Sequence, residues 1–289
     1  MKIAVMMHGM SGNTNKYGTG NQLDVDISHG HFVENILKCN PEDQVDIFMH
    51  SWSLDSEKRL TELYSPKSKL FEEQIHFDFE YIVGDPSKPM NEGKTENGVF
   101  KGAENIRFHS LFSRWYSAKA VNDLRLQYEK INNIEYDLII LTRFDLAYLY
   151  PVVFSKFDYE KIYTISPPSN HGFHDLFFVG GSDVINTLCE MFNFVSSIKH
   201  FANWNIHSHR LVAHWIVEKI GYQNLAFLGP DRLWDSGSEG AKTGPAPLVR
   251  DHYSLFKINE EDPLERKKIQ EIQSEAFSNY RQYSTMAAN

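Results

Sequence analysis

The chain has 289 residues, enough for one large α/β domain or two small ones, and its apolar and charged fractions of 42% and 23% are those of an ordinary globular protein. Its formal net charge is -9, and its densest basic cluster, Glu265-Arg266-Lys267-Lys268, is short and mixed in sign, which excludes broad phosphate-backbone binding and so argues against nucleic acid as a partner. Cys39 and Cys189 make no CxxC pattern, so neither a disulfide framework nor a thiolate zinc site is indicated. No segment approaches the apolar length of a transmembrane span, and Met1 to Met7 is too short for a signal-peptide core, so a soluble, cytoplasmic protein is expected.

Lys2 to Met7 reads as a buried first strand, ending in the glycine-bearing turn His8-Gly9-Met10-Ser11-Gly12-Asn13. That turn is neither GxGxxG nor a P-loop. Residues 28–38 fit a helix with Phe32, Val33, Ile36 and Leu37 on one face, and Val45 to His50 reads as a second strand running into Ser51-Trp52-Ser53. A third strand is expected over 77–83. Residues 84–102, rich in Pro, Gly, Asn, Lys and Glu, read as a loop of the kind that forms lids. From 110 to 131 the apolar residues Leu111, Trp115, Ala118, Val121, Leu124 and Tyr128 recur at helical spacing.

Asp137 to Thr142 is a strongly apolar run, expected at the centre of a sheet. Further strands are expected at 161–166, 176–180 and 225–228, and helices at 183–196 and 207–220. Residues 229–244 read as a flexible loop. Asp262, Pro263 and Glu265 are a helix-start signature for a C-terminal packing helix over about 262–284. The expected fold class is α/β, a Rossmann-like, mixed but mostly parallel sheet flanked by helices, as a single domain. Within it, one part would lie at about 1–150 and a second at about 151–260.

The chemistry concentrates where the apolar run ends, at Thr142-Arg143-Phe144-Asp145. Open α/β sheets bind ligands at the carboxyl ends of their strands. A carboxylate there can hold Mg²⁺ or Mn²⁺ bridging a diphosphate, and Arg143 can either clamp a phosphate or pair with Asp145. Asp175 and His174 precede another strand and are candidates to take a proton from a hydroxyl. The His171-x-x-His174 and His207-x-His209 spacings are not those of a closed zinc site, and HExxH and GxSxG are both missing.

The order of these motifs resembles GT-A-type nucleotide-sugar glycosyltransferases of bacterial surface-polysaccharide clusters and large viruses. The matching pieces are Val45 to Trp52, Ser113 to Lys119, Tyr136 to Leu146 and His174 to Ser182, within residues 2–220. In this family Arg-x-Asp stands where better-known GT-A enzymes carry Asp-x-Asp. The resemblance implies a nucleotide-sugar donor and a glycan or lipid-linked saccharide acceptor, with visits to a membrane surface if the acceptor is lipid-linked. It places the donor against His8, Gly9, His50, Trp52, Arg114, Lys119, Arg143 and Asp145. Asp175 or His174 would act at the acceptor side. Asp145 and the late His252 would be ligands to Mn²⁺ or Mg²⁺, or Arg143 would supply part of that charge. A non-catalytic carbohydrate- or nucleotide-sugar-binding protein of the same fold is the alternative.

Overall fold

The sheet is organised around β1 (Lys2–Gly9), in which Ile3 to His8 are all buried. In this computed structural model the described residues are 1–11, 25–77, 80–82, 99–101, 106–148, 151–164, 173, 175–198, 208–227 and 248–250. β1 lies parallel between β2 (Gln44–Ser51) and β6 (Leu138–Arg143). β3 (Ser68–Phe71) adds in parallel outside β2. On the other side β9 (Phe178–Gly180) pairs antiparallel with β6, β8 (Ile162–Thr164) antiparallel with β9, and β10 (Leu225–Phe227) parallel with β8. The seven strands run β10-β8-β9-β6-β1-β2-β3, a mixed and mostly parallel sheet of the α/β class, while β7 (Leu146–Tyr148) pairs antiparallel with β11 (Leu248–Arg250) in a separate ribbon.

Strand alternation divides the core in two. Ala4, Met6, Phe48, Ile139 and Leu141 face one cluster, built with α3 (Ile106–Asn132), α4 (Ser182–Cys189), α5 (Met191–Ser197) and α6 (Ser208–Trp215). Ile3, Val5, Met7, Ile47, Leu138 and Ile140 face the other, with α1 (Val25–Phe32) and α2 (Glu57–Tyr64). Burial on both faces explains why these strands are near-continuous apolar runs.

Several expected elements differ in the structure. The helix expected at 183–196 is two helices, α4 and α5, meeting at Glu190. The helices expected at 28–38 and 207–220 both end in wide π-type turns, at Val33–Leu37 and Ile216–Ile220. The third strand is β3, and the segment expected at 77–83 supplies only β4 (Glu80–Ile82). β4 pairs with β5 (Val99–Lys101) in a separate two-stranded ribbon, so 99–101 is strand within a stretch expected to be loop. β3 carries no strong apolar period, because it is an edge strand with half its residues exposed, and α2 is a short helix that buries only Leu60 and Tyr64. The 229–244 loop and the C-terminal helix lie outside the described residues. Among the described residues no helix is long and apolar enough to cross a membrane.

α3 clamps the site-bearing face. Its inward side carries Leu111, Trp115, Ala118, Asn122, Arg125 and Glu129 at three- and four-residue spacing, all buried. Arg125 is fully buried and bonds Glu129 at 2.6 Å, Asn122 at 2.8 Å, Ser182 at 3.1 Å, and Asn186. It ties α3 to the first turns of α4. Removing one partner of a buried ionic network leaves the others unpaired. Arg125→Ala is therefore expected to lower the free energy of unfolding by about 3–5 kcal/mol in urea titration. A loss under about 1 kcal/mol would show that the network is dispensable.

Candidate functional site

Register decides what meets at the strand ends. Pairing of β1 with both neighbours aligns His8 with His50 on β2 and with Arg143 on β6. These side chains follow Met6, Phe48 and Leu141 by two residues, so they share the α3 face. β9 runs antiparallel to β6, so the residues leading into it, Asp175 among them, arrive at the same edge.

α3 fixes this row through Ser117. The Gly9 amide donates to Ser117 Oγ at 2.9 Å, and Ser117 Oγ lies 2.6 Å from His50 Nδ1. His50 Nε2 lies 2.9 Å from Glu72 Oε1. The Glu72 carboxylate only accepts, so His50 donates from Nε2, and in the neutral ring Nδ1 then accepts from the Ser117 hydroxyl. Burial pushes the His50 pKa down, against the pull of Glu72. Both His50 nitrogens are thus committed to holding the row together. Trp52 is 9% exposed, stacked on Tyr116 at 5.4 Å and edge-on to His50 at 4.7 Å, so it forms a wall and not an open stacking platform.

Asp175 is buried and fully engaged. Arg114 Nε lies 3.0 Å from its Oδ2, Ser208 donates to the same oxygen, and His209 Nε2 lies 3.3 Å from Oδ1. Burial alone would raise its pKa, but Arg114, His209 and Ser208 together hold it well below the ordinary carboxylate value. A carboxylate this strongly held is a poor proton acceptor. Its position suits it to orient His209, an imidazole on the first turn of α6 whose side chain is 24% exposed.

Arg143 and Asp145 form a two-point ion pair, with Nε donating to Oδ1 at 2.6 Å and Nη2 to Oδ2. Phe144 between them turns into the opposite cluster, which leaves Arg143 and Asp145 on one side. The carboxylate expected to hold a divalent cation therefore spends both oxygens on a guanidinium. Among the described residues no group of three or more His, Cys, Asp or Glu could hold a metal ion. With Asp145 paired, the described donors do not by themselves assemble a Mn²⁺ or Mg²⁺ site, and among the described residues the positive charge at the site comes from Arg143 and Arg114.

His8, in the middle of the row, is 1% exposed, and neither ring nitrogen has a hydrogen-bond partner among the described residues. Burial, followed by Arg114 and Arg143, pushes its pKa well down. Three residues on, Ser11 Oγ is also buried and unpartnered. Gly9 between them has φ +95°, and a Cβ built on it would meet nothing within 4 Å. Only glycine takes that backbone without strain.

The structure thus brings together His8, Gly9, His50, Trp52, Arg114, Arg143, Asp145 and Asp175. Lys119 is not part of the row: its ammonium pairs with Asp123 at 3.0 Å and Glu190 at 3.8 Å. His174 and His252 lie outside the described residues. Ser11, Glu72, Ser117, Ser208 and His209 join the site without having stood out as candidates. His209 stands in a histidine pair that points toward zinc, Ser11 in the glycine-bearing turn after the first strand, and Ser117 within the Ser113 to Lys119 piece. No protein-family model matches the chain, and no curated protein matches it.

The buried histidines make stability depend on pH. His8, His50 and His31 all have folded-state pKa values below the ordinary 6.5, chiefly through burial. Below pH 6.5 the unfolded chain binds more protons than the folded one, so stability falls with pH from that point down. The expected slope is up to about 1.4 kcal/mol per pH unit for each such histidine. The Asp175 contribution is present above the unfolded carboxylate pKa and is lost only on further acidification, below pH 3.8. Urea midpoints measured between neutral pH and pH 5 should drop, and His8→Leu should flatten the drop. An unchanged slope in that variant would show that His8 is not held neutral.

Proposed function

We propose that this protein is a glycosyltransferase that moves a sugar from a nucleotide-sugar donor to a glycan or lipid-linked acceptor. The carrying observation is the convergence of Arg143, His8 and Arg114 with the buried Asp175 and its partly exposed partner His209 at the carboxyl ends of adjacent strands. It supports the reading in two ways. Guanidiniums at this edge can stabilise the charge that develops on a departing diphosphate. The imidazole of His209, turned by Asp175, can take the acceptor hydroxyl's proton, a role the ionised Asp175 fills poorly. The motif order that resembles GT-A-type transferases agrees with that placement.

The binding-only alternative has one observation in its favour. Both site aspartates are already paired with arginines, as a rigid recognition site would have them. Turnover separates the two readings.

A thermal-shift screen against UDP-, GDP-, CMP- and dTDP-sugars tests the donor class. At about 100 times the dissociation constant, the matching donor should raise the melting temperature by roughly 5–10 °C. Arg143→Ala should abolish the shift. With that donor, His209→Ala should lower nucleotide release by about 10²–10⁴-fold while the shift persists. A wild-type protein that binds donor and never releases nucleotide, to acceptor or to water, would be a binding protein.

A further inference from the structure

We propose that the strand-end row is a cation-independent diphosphate site, in which Arg143, His8 and Ser11 grip the phosphate oxygens directly and no divalent metal bridges them. The nucleotide part of this inference rests on the transferase reading above. The phosphate part rests on the geometry alone.

The unpartnered atoms come first. Among the described residues Nδ1 and Nε2 of His8 and Oγ of Ser11 are buried, polar and without a hydrogen-bond partner, and all lie within four consecutive residues at the end of β1. Buried polar groups are almost always satisfied, so three orphans in one place point to a group that joins them on binding. Gly9, between the two, has open space where a side chain would begin. The orphans therefore border room for a ligand.

Charge then selects the ligand. His8 is aligned with Arg143 on the neighbouring strand, a separation of about 4.8 Å between backbones, close enough for one phosphate to touch both. Arg143 pairs with Asp145 through Nε and Nη2, and Nη1 takes no part in that pair. The Asp145 pair fixes the guanidinium plane, which pre-organises the remaining donors. Arg114 adds a second guanidinium, itself held by Asp175. Neutral His8 can donate one N–H and accept at its other nitrogen, and Ser11 can donate. The set is rich in donors, and Asp145 and Asp175 are each held by an arginine. An oxyanion with several acceptor oxygens fits it, whereas a second cation would have to displace Arg143 from Asp145.

His8 also sets apart a ligand-binding role from a packing role. A packing residue is missed when removed. An unpartnered buried imidazole is an expense to the free protein, and its replacement by an apolar side chain of similar size relieves it.

The test is calorimetric titration of the full chain with UDP, GDP, CDP, dTDP and inorganic pyrophosphate, each in EDTA and in Mn²⁺. At least one nucleoside diphosphate should bind in EDTA within about threefold of its affinity in Mn²⁺. His8→Leu and Arg143→Lys should each weaken that binding by at least about tenfold. The His8→Leu protein should keep or raise its urea midpoint, which shows that the loss is not unfolding. Binding that requires Mn²⁺, or that survives His8→Leu, overturns the inference and leaves the transferase reading standing. Pyrophosphate binding in EDTA, with no gain from any nucleoside, upholds the subsite and removes the nucleotide-sugar reading. No binding of any probe in either condition overturns both.

Discussion

The parallel pairing of β1 between β2 and β6 is the constraint on which the rest depends. Its register sets which residues stand side by side where the strands end, and a slip of one residue would turn every side chain to the other face. The register is held because both faces of β1 are buried: Ala4 and Met6 on the α3 side, Ile3, Val5 and Met7 on the other. The apolar core thus positions the polar row without touching it. Beyond Met6 and Leu141 the same face simply continues as His8 and Arg143.

The row is held by compensation. Each arginine at the site has its own carboxylate, Arg114 with Asp175 and Arg143 with Asp145, and His50 is fixed between Ser117 and Glu72. Buried charges persist because they are paired and hydrogen-bonded. His8 stands apart, because it is buried as deeply and bonded to nothing. Proteins accept such local cost where a ligand later removes it. The same pairing bears on Asp145 as a ligand for a divalent cation. Asp145 was read as a metal ligand because carboxylates at strand ends so often are, but two residues of separation also let Arg143 reach both of its oxygens.

Much of the fold was legible because the period of apolar residues survives in isolation. The first, second and central strands and the long helix α3 stand out as apolar runs or three-and-four spacing, and each appears within a few residues of its expected bounds. β3 and α2 were missed because they lie at an edge and keep many residues in water. The helix break at Glu190 leaves little trace, since the apolar period carries across it.

The sequence by itself determined the α/β class, the buried central strands, and the candidacy of Arg143, Asp145 and Asp175, because burial and strand ends are written in local pattern. Tertiary structure alone decided the partnerships. Asp175 is tied to Arg114 and His209 and Gly9 to Ser117, while His8 has no hydrogen-bond partner among the described residues, and the paired residues stand 34 to 108 positions apart. No local pattern encodes such separations. They follow from strand register and helix packing, which bring distant residues within hydrogen-bonding range only when the whole sheet has formed.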